Sequence, residues 1–104
     1  MNLIPTENQG LFVLIVLTVH PDNQQKVLDT IRSAGNPTLI PGLLSLHLLR
    51  SLDGTQIINH MHWADKPSFE QARANIPAIQ NLRSEVLALI ESATSNLYEV
   101  VARS

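Results

Sequence analysis

The segment Leu52-Asp53-Gly54-Thr55 lies between two runs of alternating character, Leu43 to Ser51 and Gln56 to Trp63. Tight hairpin turns need backbone angles that glycine and aspartate tolerate well, so Asp-Gly in this setting predicts two antiparallel strands. A two-residue turn at Asp53-Gly54 also sets the register, with Leu48 facing Asn59, Leu46 facing Met61 and Leu44 facing Trp63. Because side chains alternate along a strand, one face of the hairpin carries Leu44, Leu46, Leu48, Arg50, Ile57, Asn59, Met61 and Trp63. The other carries His47, Leu49, Ile58, His60 and His62.

The rest of the chain has to cover that hairpin. Leu11 to Val19 is apolar almost throughout, which predicts a strand buried on both faces. Pro21-Asp22 opens a helix, with Asp22 as N-cap, Gln25 as its capping-box partner and Val27, Leu28 and Ile31 facing inward; Gly35 ends it. Asp65-Lys66-Pro67-Ser68 opens a short helix through Ala74, and Pro77 opens another whose apolar side is Ile79, Leu82, Val86, Leu89 and Ile90. Asn96 to Ala102 closes the chain as a strand. Residues 1–10 are expected to be a flexible arm and residues 11–104 a single domain. The order βαββαβ, with the second helix broken, predicts an α+β ferredoxin-like fold: an antiparallel sheet with helices on one face. The other face needs cover, and a second copy of the chain is its simplest source, making a homodimer.

Composition narrows the partners. Only 15% of residues are charged against 44% apolar, a lean polar coat that leaves apolar surface for a partner. The net charge of -2, without a basic cluster, argues against nucleic acid as a ligand. The longest apolar run, Leu11 to Leu17, is too short to cross a bilayer and lacks the flanks of a signal peptide, so no membrane partner and a cytoplasmic address are expected. Without cysteine, thiolate catalysis and Cys-type zinc sites are excluded.

Asn59 stands alone as an amide on an apolar face, and the single tryptophan, Trp63, shares that face. A buried amide or indole N–H needs a partner, and a ligand oxygen is one source. Trp63 as a core anchor, with Asn59 bonded to nearby backbone, is another reading. Helical spacing puts Arg83 inside the apolar arc of Ile79, Leu82, Val86 and Ile90. A guanidinium there would hold a phenolate or enolate over an apolar floor; alternatively its stem packs while its charge reaches water. His47, His60 and His62 have the geometry of a three-histidine metal site, but a polar lining for a subunit interface fits them better, since no nearby carboxylate orients the rings. Glycine-rich phosphate loops, nucleophile elbows and helical His-Glu-x-x-His motifs are missing.

Ile40-Pro41-Gly42, Arg50-Ser51-Leu52-Asp53-Gly54-Thr55 and Asn59-His60-Met61-His62-Trp63-Ala64-Asp65 together resemble the antibiotic biosynthesis monooxygenase domain. The resemblance implies a dimeric α+β barrel with a pocket between sheet and helices. It also implies oxidation of a small aromatic, phenolic or enolic, polyketide-like substrate by O2 without metal, flavin or haem. Asn59 and Trp63 would be hydrogen-bond donors of that pocket and Arg83 its arginine, all three catalytic, with Leu44, Leu46, Leu48, Met61 and Phe69 binding substrate. Phe69 takes the place of a tyrosine found in part of the family. Haem-degrading relatives carry a histidine where this chain has Arg73, which disfavours haem. The other expectation is a non-catalytic dimer of the same fold that binds small molecules or serves a stress response.

Overall fold

The computed structural model describes residues 4–5, 10–34 and 39–103. The strands are β1 (Ile4–Pro5), β2 (Leu11–Thr18), β3 (Leu43–Arg50), β4 (Gln56–Trp63), β5 (Ser92–Tyr98) and β6 (Ala102–Arg103). The helices are α1 (Gln24–Arg32), α2 (Lys66–Asn75) and α3 (Pro77–Leu87), with a 3-10 turn at Pro21–Asn23 before α1. A four-stranded sheet has the order β3-β4-β2-β5, each neighbouring pair antiparallel. This is the ferredoxin-like arrangement. β1 and β6 form a separate two-stranded ladder, so Ile4 and Pro5 of the expected arm are paired with Arg103 and Ala102. The rest of that arm before Gly10, and the expected helix stop at Gly35, lie outside the described residues.

The sheet's helix-covered face holds two apolar clusters. Leu17, Val19, Val27, Leu28, Ile57 and Val86 form one beneath α1 and α3. Val13, Met61, Trp63, Phe69 and Ala72 form the other beneath α2. Ile15, in the middle of β2, packs against both. The opposite faces of β2 and β4 are only partly covered at Phe12, Leu14, Val16 and Ile58, so β2 is not buried on both sides within one chain. The helix break has a local cause. Proline disfavours helical angles in the residue before it, and Ile76 sits at φ -101, ψ 107, ending α2 and starting α3.

Several details depart from expectation. Asp22 does not cap α1 but lies in the 3-10 turn, which His20 caps, its Nδ1 accepting the Asp22 N–H at 3.2 Å; the N-cap of α1 is Asn23, whose side chain makes no capping bond. Gln25 turns along the helix instead, donating to Asp29 Oδ1 at 2.9 Å. The last sheet strand comes earlier than Asn96 to Ala102. Ser92 to Tyr98 pair with Thr18 to Phe12, because β2 offers a free backbone edge that small polar side chains do not prevent from being used.

The hairpin register follows expectation from Ser45↔His62 to Arg50↔Ile57. It fails at the far end, where an irregularity between Leu43 and Ser45 sets Leu43 opposite Trp63 and leaves Leu44 59% exposed. One inserted residue turns the following side chain to the other side. The tip is a four-residue loop, since Ser51 N–H donates to the Gln56 carbonyl at 3.0 Å and Gly54 N–H to the Ser51 carbonyl at 3.2 Å. Gly54 adopts a φ of 82°, which suits a residue with no Cβ. Buried Gln24 of α1 reaches across to this end, donating through Nε2 to the carbonyls of Ser51 at 3.1 Å and Gln56 at 3.0 Å.

Asp53 staples the tip through one oxygen, accepting from Thr55 Oγ1 (2.7 Å), Thr55 N–H (3.0 Å) and Ser51 Oγ (2.7 Å). The Thr55 hydroxyl first, then the Thr55 N–H and the Ser51 hydroxyl, lower its pKa from 3.8 to about 2. The folded chain therefore binds this proton less readily than the unfolded one, and the stabilisation is complete above about pH 4 and lost as pH falls through about 2. Asp53→Asn should thus melt at a lower temperature than the wild type at pH 6, with the gap shrinking between pH 4 and 2. A gap of constant size across a melting series over that range would show that the staple is not electrostatic.

Candidate functional site

A cavity of about 300 Å³ opens where the two apolar clusters meet, between the sheet and the broken helix. Ile15 and Leu17 of β2, Asn59, Met61 and Trp63 of β4 and Leu46 of β3 line its sheet side. Phe69 and Ala72 of α2 and Ile79, Leu82 and Val86 of α3 line its helix side. Asn59 lies directly across from Ile15, in the middle of the two central strands. The wall is thus apolar except at a few points.

Trp63 is 3% exposed and stands edge-on to Phe69, with ring centroids 5.5 Å apart and planes at 65°. α2 is held in place for this contact by Asp65, which caps it by accepting the Ser68 N–H at 2.8 Å. The Ser68 hydroxyl, followed by its N–H, keeps Asp65 below the usual carboxylate range. Just before α2, Ala64 N–H donates to the Gly42 carbonyl at 2.8 Å, tying the end of β4 to the start of β3.

Two buried side-chain polar atoms among the described residues have no hydrogen-bond partner in the protein: Asn59 Oδ1 and Trp63 Nε1. The first is an acceptor and the second a donor. Nearby backbone does not satisfy them, so Asn59 is not explained as a self-contained core amide. An unsatisfied buried group costs about 1 to 3 kcal/mol, so a partner supplied from the cavity would stabilise either atom.

Arg83 lies on the cavity wall but is exposed, so its guanidinium is not sealed over the floor. Arg73 of α2, which the sequence reading did not assign to the pocket, is a second exposed lining residue. It follows Phe69 by four positions, one helical turn, and that spacing was the available signal. Leu43 also lines the cavity. Leu44 does not, having been turned away by the strand irregularity, and Leu48 faces a separate hollow beside Gln25, Leu28 and Arg32. Asn59, Trp63, Arg83, Leu46, Met61 and Phe69 are therefore brought together, whereas Leu44 and Leu48 stand outside.

The histidines occupy the opposite side of the sheet. Phe12 stacks on His62, with centroids 4.3 Å apart and planes 3° from parallel, and on His60 at 5.5 Å; His47 and His60 lie 5.9 Å apart. The rings form a row. Among the described residues, no group of three histidines or carboxylates is arranged to hold a metal ion.

Comparison with known proteins gives a consistent picture. Residues 10–88 match the family model for antibiotic biosynthesis monooxygenase. The structure of Rv0793 from Mycobacterium tuberculosis superposes with a TM-score of 0.76 at 18% identity, covering 88% of this chain and 94% of that one. SnoaB, a cofactor-independent oxygenase from Streptomyces nogalater, superposes with a TM-score of 0.72 at 23% identity, over 88% and 93%. A conserved protein from Methanosarcina mazei reaches a TM-score of 0.77 at 16% identity, over 88% and 92%. At these identities the solved structures establish the fold. Among curated proteins none matches the sequence.

Proposed function

Because the chain belongs to the antibiotic biosynthesis monooxygenase family, we propose that its cavity oxidises a small phenolic or enolic, polyketide-like aromatic compound with O2, without a cofactor. The observation that carries this reading is the unmatched pair of Asn59 Oδ1 and Trp63 Nε1 beside an apolar cavity. A substrate with a hydroxyl and a carbonyl on one ring system answers both, and the amide can also turn over to donate. A cavity near 300 Å³ lies at the small end of ligand sites and suits two or three fused rings.

The chemistry balances without an added reductant. The ionised substrate gives one electron to O2, and the resulting carbon radical and superoxide join in a C–O bond. Protonation and cleavage of the O–O bond then leave a carbonyl and one water, so that CH2 and O2 become C=O and H2O. Asn59 and Trp63 are the proposed catalytic residues, holding the developing oxyanion by hydrogen bonds. Arg83 would favour the anion from the cavity wall by its charge. Leu46, Met61 and Phe69 would pack against the rings.

The described lining offers no carboxylate, histidine, lysine or tyrosine to take the substrate's proton. Turnover should therefore require substrates acidic enough to ionise by themselves, and its pH dependence should follow the pKa of each substrate. Oxygen consumption by purified protein with anthrones and hydroquinones of graded acidity tests this. The expected result is one O2 per product, with pH profiles that shift from substrate to substrate. No uptake with any of them would turn the reading to a non-catalytic small-molecule-binding or stress-associated dimer, which the exposure of Arg83 favours.

We also place the protein in the cytoplasm as a homodimer, with the partly covered sheet face of Phe12, Leu14, Val16 and Ile58 at the interface. Among the described residues no helix is long and apolar enough to cross a membrane. Sedimentation across a dilution series is expected to give the mass of two chains; a monomer at every concentration would refute the assembly.

A further inference from the structure

We propose that Arg73 and Arg83 form an anion subsite at the mouth of the cavity, and that the ligand is an aromatic carboxylate rather than a neutral ring system. The inference rests on the reading of the cavity as an aromatic binding site and specifies which aromatics enter it.

The two arginines come from different helices, yet both border the same cavity. Arg73 is one position beyond buried Ala72 on α2; Arg83 follows Ile79 by one turn on α3. Both residues are exposed although Ala72 beside Arg73 is buried and Ile79, one turn before Arg83, is partly buried, so each arginine borders an apolar wall and meets solvent. Neither side chain makes a hydrogen bond or ion pair among the described residues, where the ion pairs are His20 with Asp22 and Lys66 with Glu70.

Charge distribution sharpens the point. The chain carries nine acidic residues and seven Lys or Arg, so carboxylates are the commoner charge. Two of those seven cations border one cavity whose described lining includes no Asp or Glu. Like charges near one opening repel each other, and a counter-ion relieves that repulsion. Guanidinium groups present N–H donors in a planar fork that matches a carboxylate, so they recognise its shape as well as its charge. The apolar interior then restricts the anion to the end of a molecule whose remainder is aromatic. The ligand is thus ordered along its length, with hydroxyl and carbonyl near Asn59 and Trp63 and the carboxylate toward the helices.

Trp63 is the only tryptophan in the chain and contributes to the cavity wall, so its fluorescence reports occupancy without turnover. The test titrates wild type, Arg73→Gln, Arg83→Gln and the double variant with anthraquinone-2-carboxylate and its neutral 2-carboxamide, neither of which carries the oxidisable CH2. Two guanidinium–carboxylate contacts acting together should make the acid bind wild type about 10- to 30-fold more tightly than the amide. That preference should fall in each single variant and disappear in the double, and it should weaken as salt rises. Equal binding of acid and amide to wild type, or a preference that survives in the double variant, overturns the subsite while leaving the aromatic cavity standing. If neither compound changes Trp63 emission, the cavity reading fails and the subsite with it. Anthraquinone-2-phosphonate serves as a further arm: preference for it over the carboxylate would overturn the assignment of a carboxylate.

Discussion

Asn59→Leu is expected to make the protein more stable and to remove the proposed oxygenase activity. Asn59 Oδ1 is buried without a partner, so the folded state already carries the desolvation cost of that atom. Leucine has similar size and no polar atom, and relief of the cost should raise stability by about 1 to 2 kcal/mol. For a domain of this length that corresponds to a rise in melting temperature of about 4 to 8 °C per kcal/mol. Turnover, which on the proposed mechanism needs the amide against a developing oxyanion, should fall about 100- to 1000-fold. Trp63→Phe removes the other unmatched atom and should lose activity to a similar degree. Its effect on stability should be smaller, because the lost ring volume offsets the relieved N–H. Calorimetry and oxygen-electrode measurements on the same preparations check both halves. An Asn59→Leu protein that melts below the wild type would mean the amide is satisfied after all, and one that turns over at full rate would remove it from the mechanism.

Gly42→Ala should be among the most damaging single-methyl additions in the chain. Gly42 has a φ of 84°, and a Cβ built on it would lie 2.4 Å from Ser68 Cβ and 2.7 Å from Ser68 Oγ. Forcing alanine into the left-handed region costs about 1 to 2 kcal/mol and overpacking about 1 to 3 more, for a total of about 2 to 5 kcal/mol. That is a large part of the 5 to 15 kcal/mol typical of a domain. The residue that must yield is Ser68, in the first turn of α2, so the helix carrying Phe69 and Ala72 would back away from the sheet and alter the cavity. Urea denaturation gives the cost. Adding Ser68→Gly removes the collision but leaves the backbone strain, so the double variant should recover part of the loss relative to Gly42→Ala alone. A Gly42→Ala protein as stable as the wild type would show that the approach of the β3 entry to α2 is not tight.

The hairpin and the site it presents were legible because two independent signals agreed, the Asp53-Gly54 turn and the alternation on either side. Together they put Asn59, Met61 and Trp63 on one face, and the structure places all three on the cavity wall. Leu43 and Leu44 were not separable in the same way. An irregularity changes which of two adjacent leucines faces inward, and two identical residues carry no pattern to reveal it. β5 was misplaced for a different reason: Ser92, Thr94, Ser95 and Asn96 are held by the backbone of β2 rather than by apolar side chains, so hydrophobic patterning has nothing to read. Gln24 was invisible because its carbonyl acceptors lie at Ser51 and Gln56, on the far side of a loop and a strand. Arg83 was found by helical spacing, whereas Arg73 was passed over because no face of α2 had been assigned.

The division of the interior into two clusters separates two kinds of evolutionary freedom. The group around Val19, Val27 and Ile57 fastens α1 to the sheet, and none of these three residues borders the cavity. The group around Trp63, Phe69 and Ala72 does border it. Changes in the size or polarity of the second group can retune which molecule fits while the first continues to hold the sheet and helix together. A small domain whose only core also lined its cavity would risk its fold with each change in that lining; here Val19, Val27 and Ile57 lie apart from the lining, so the cavity can be reshaped by successive steps that leave them in place.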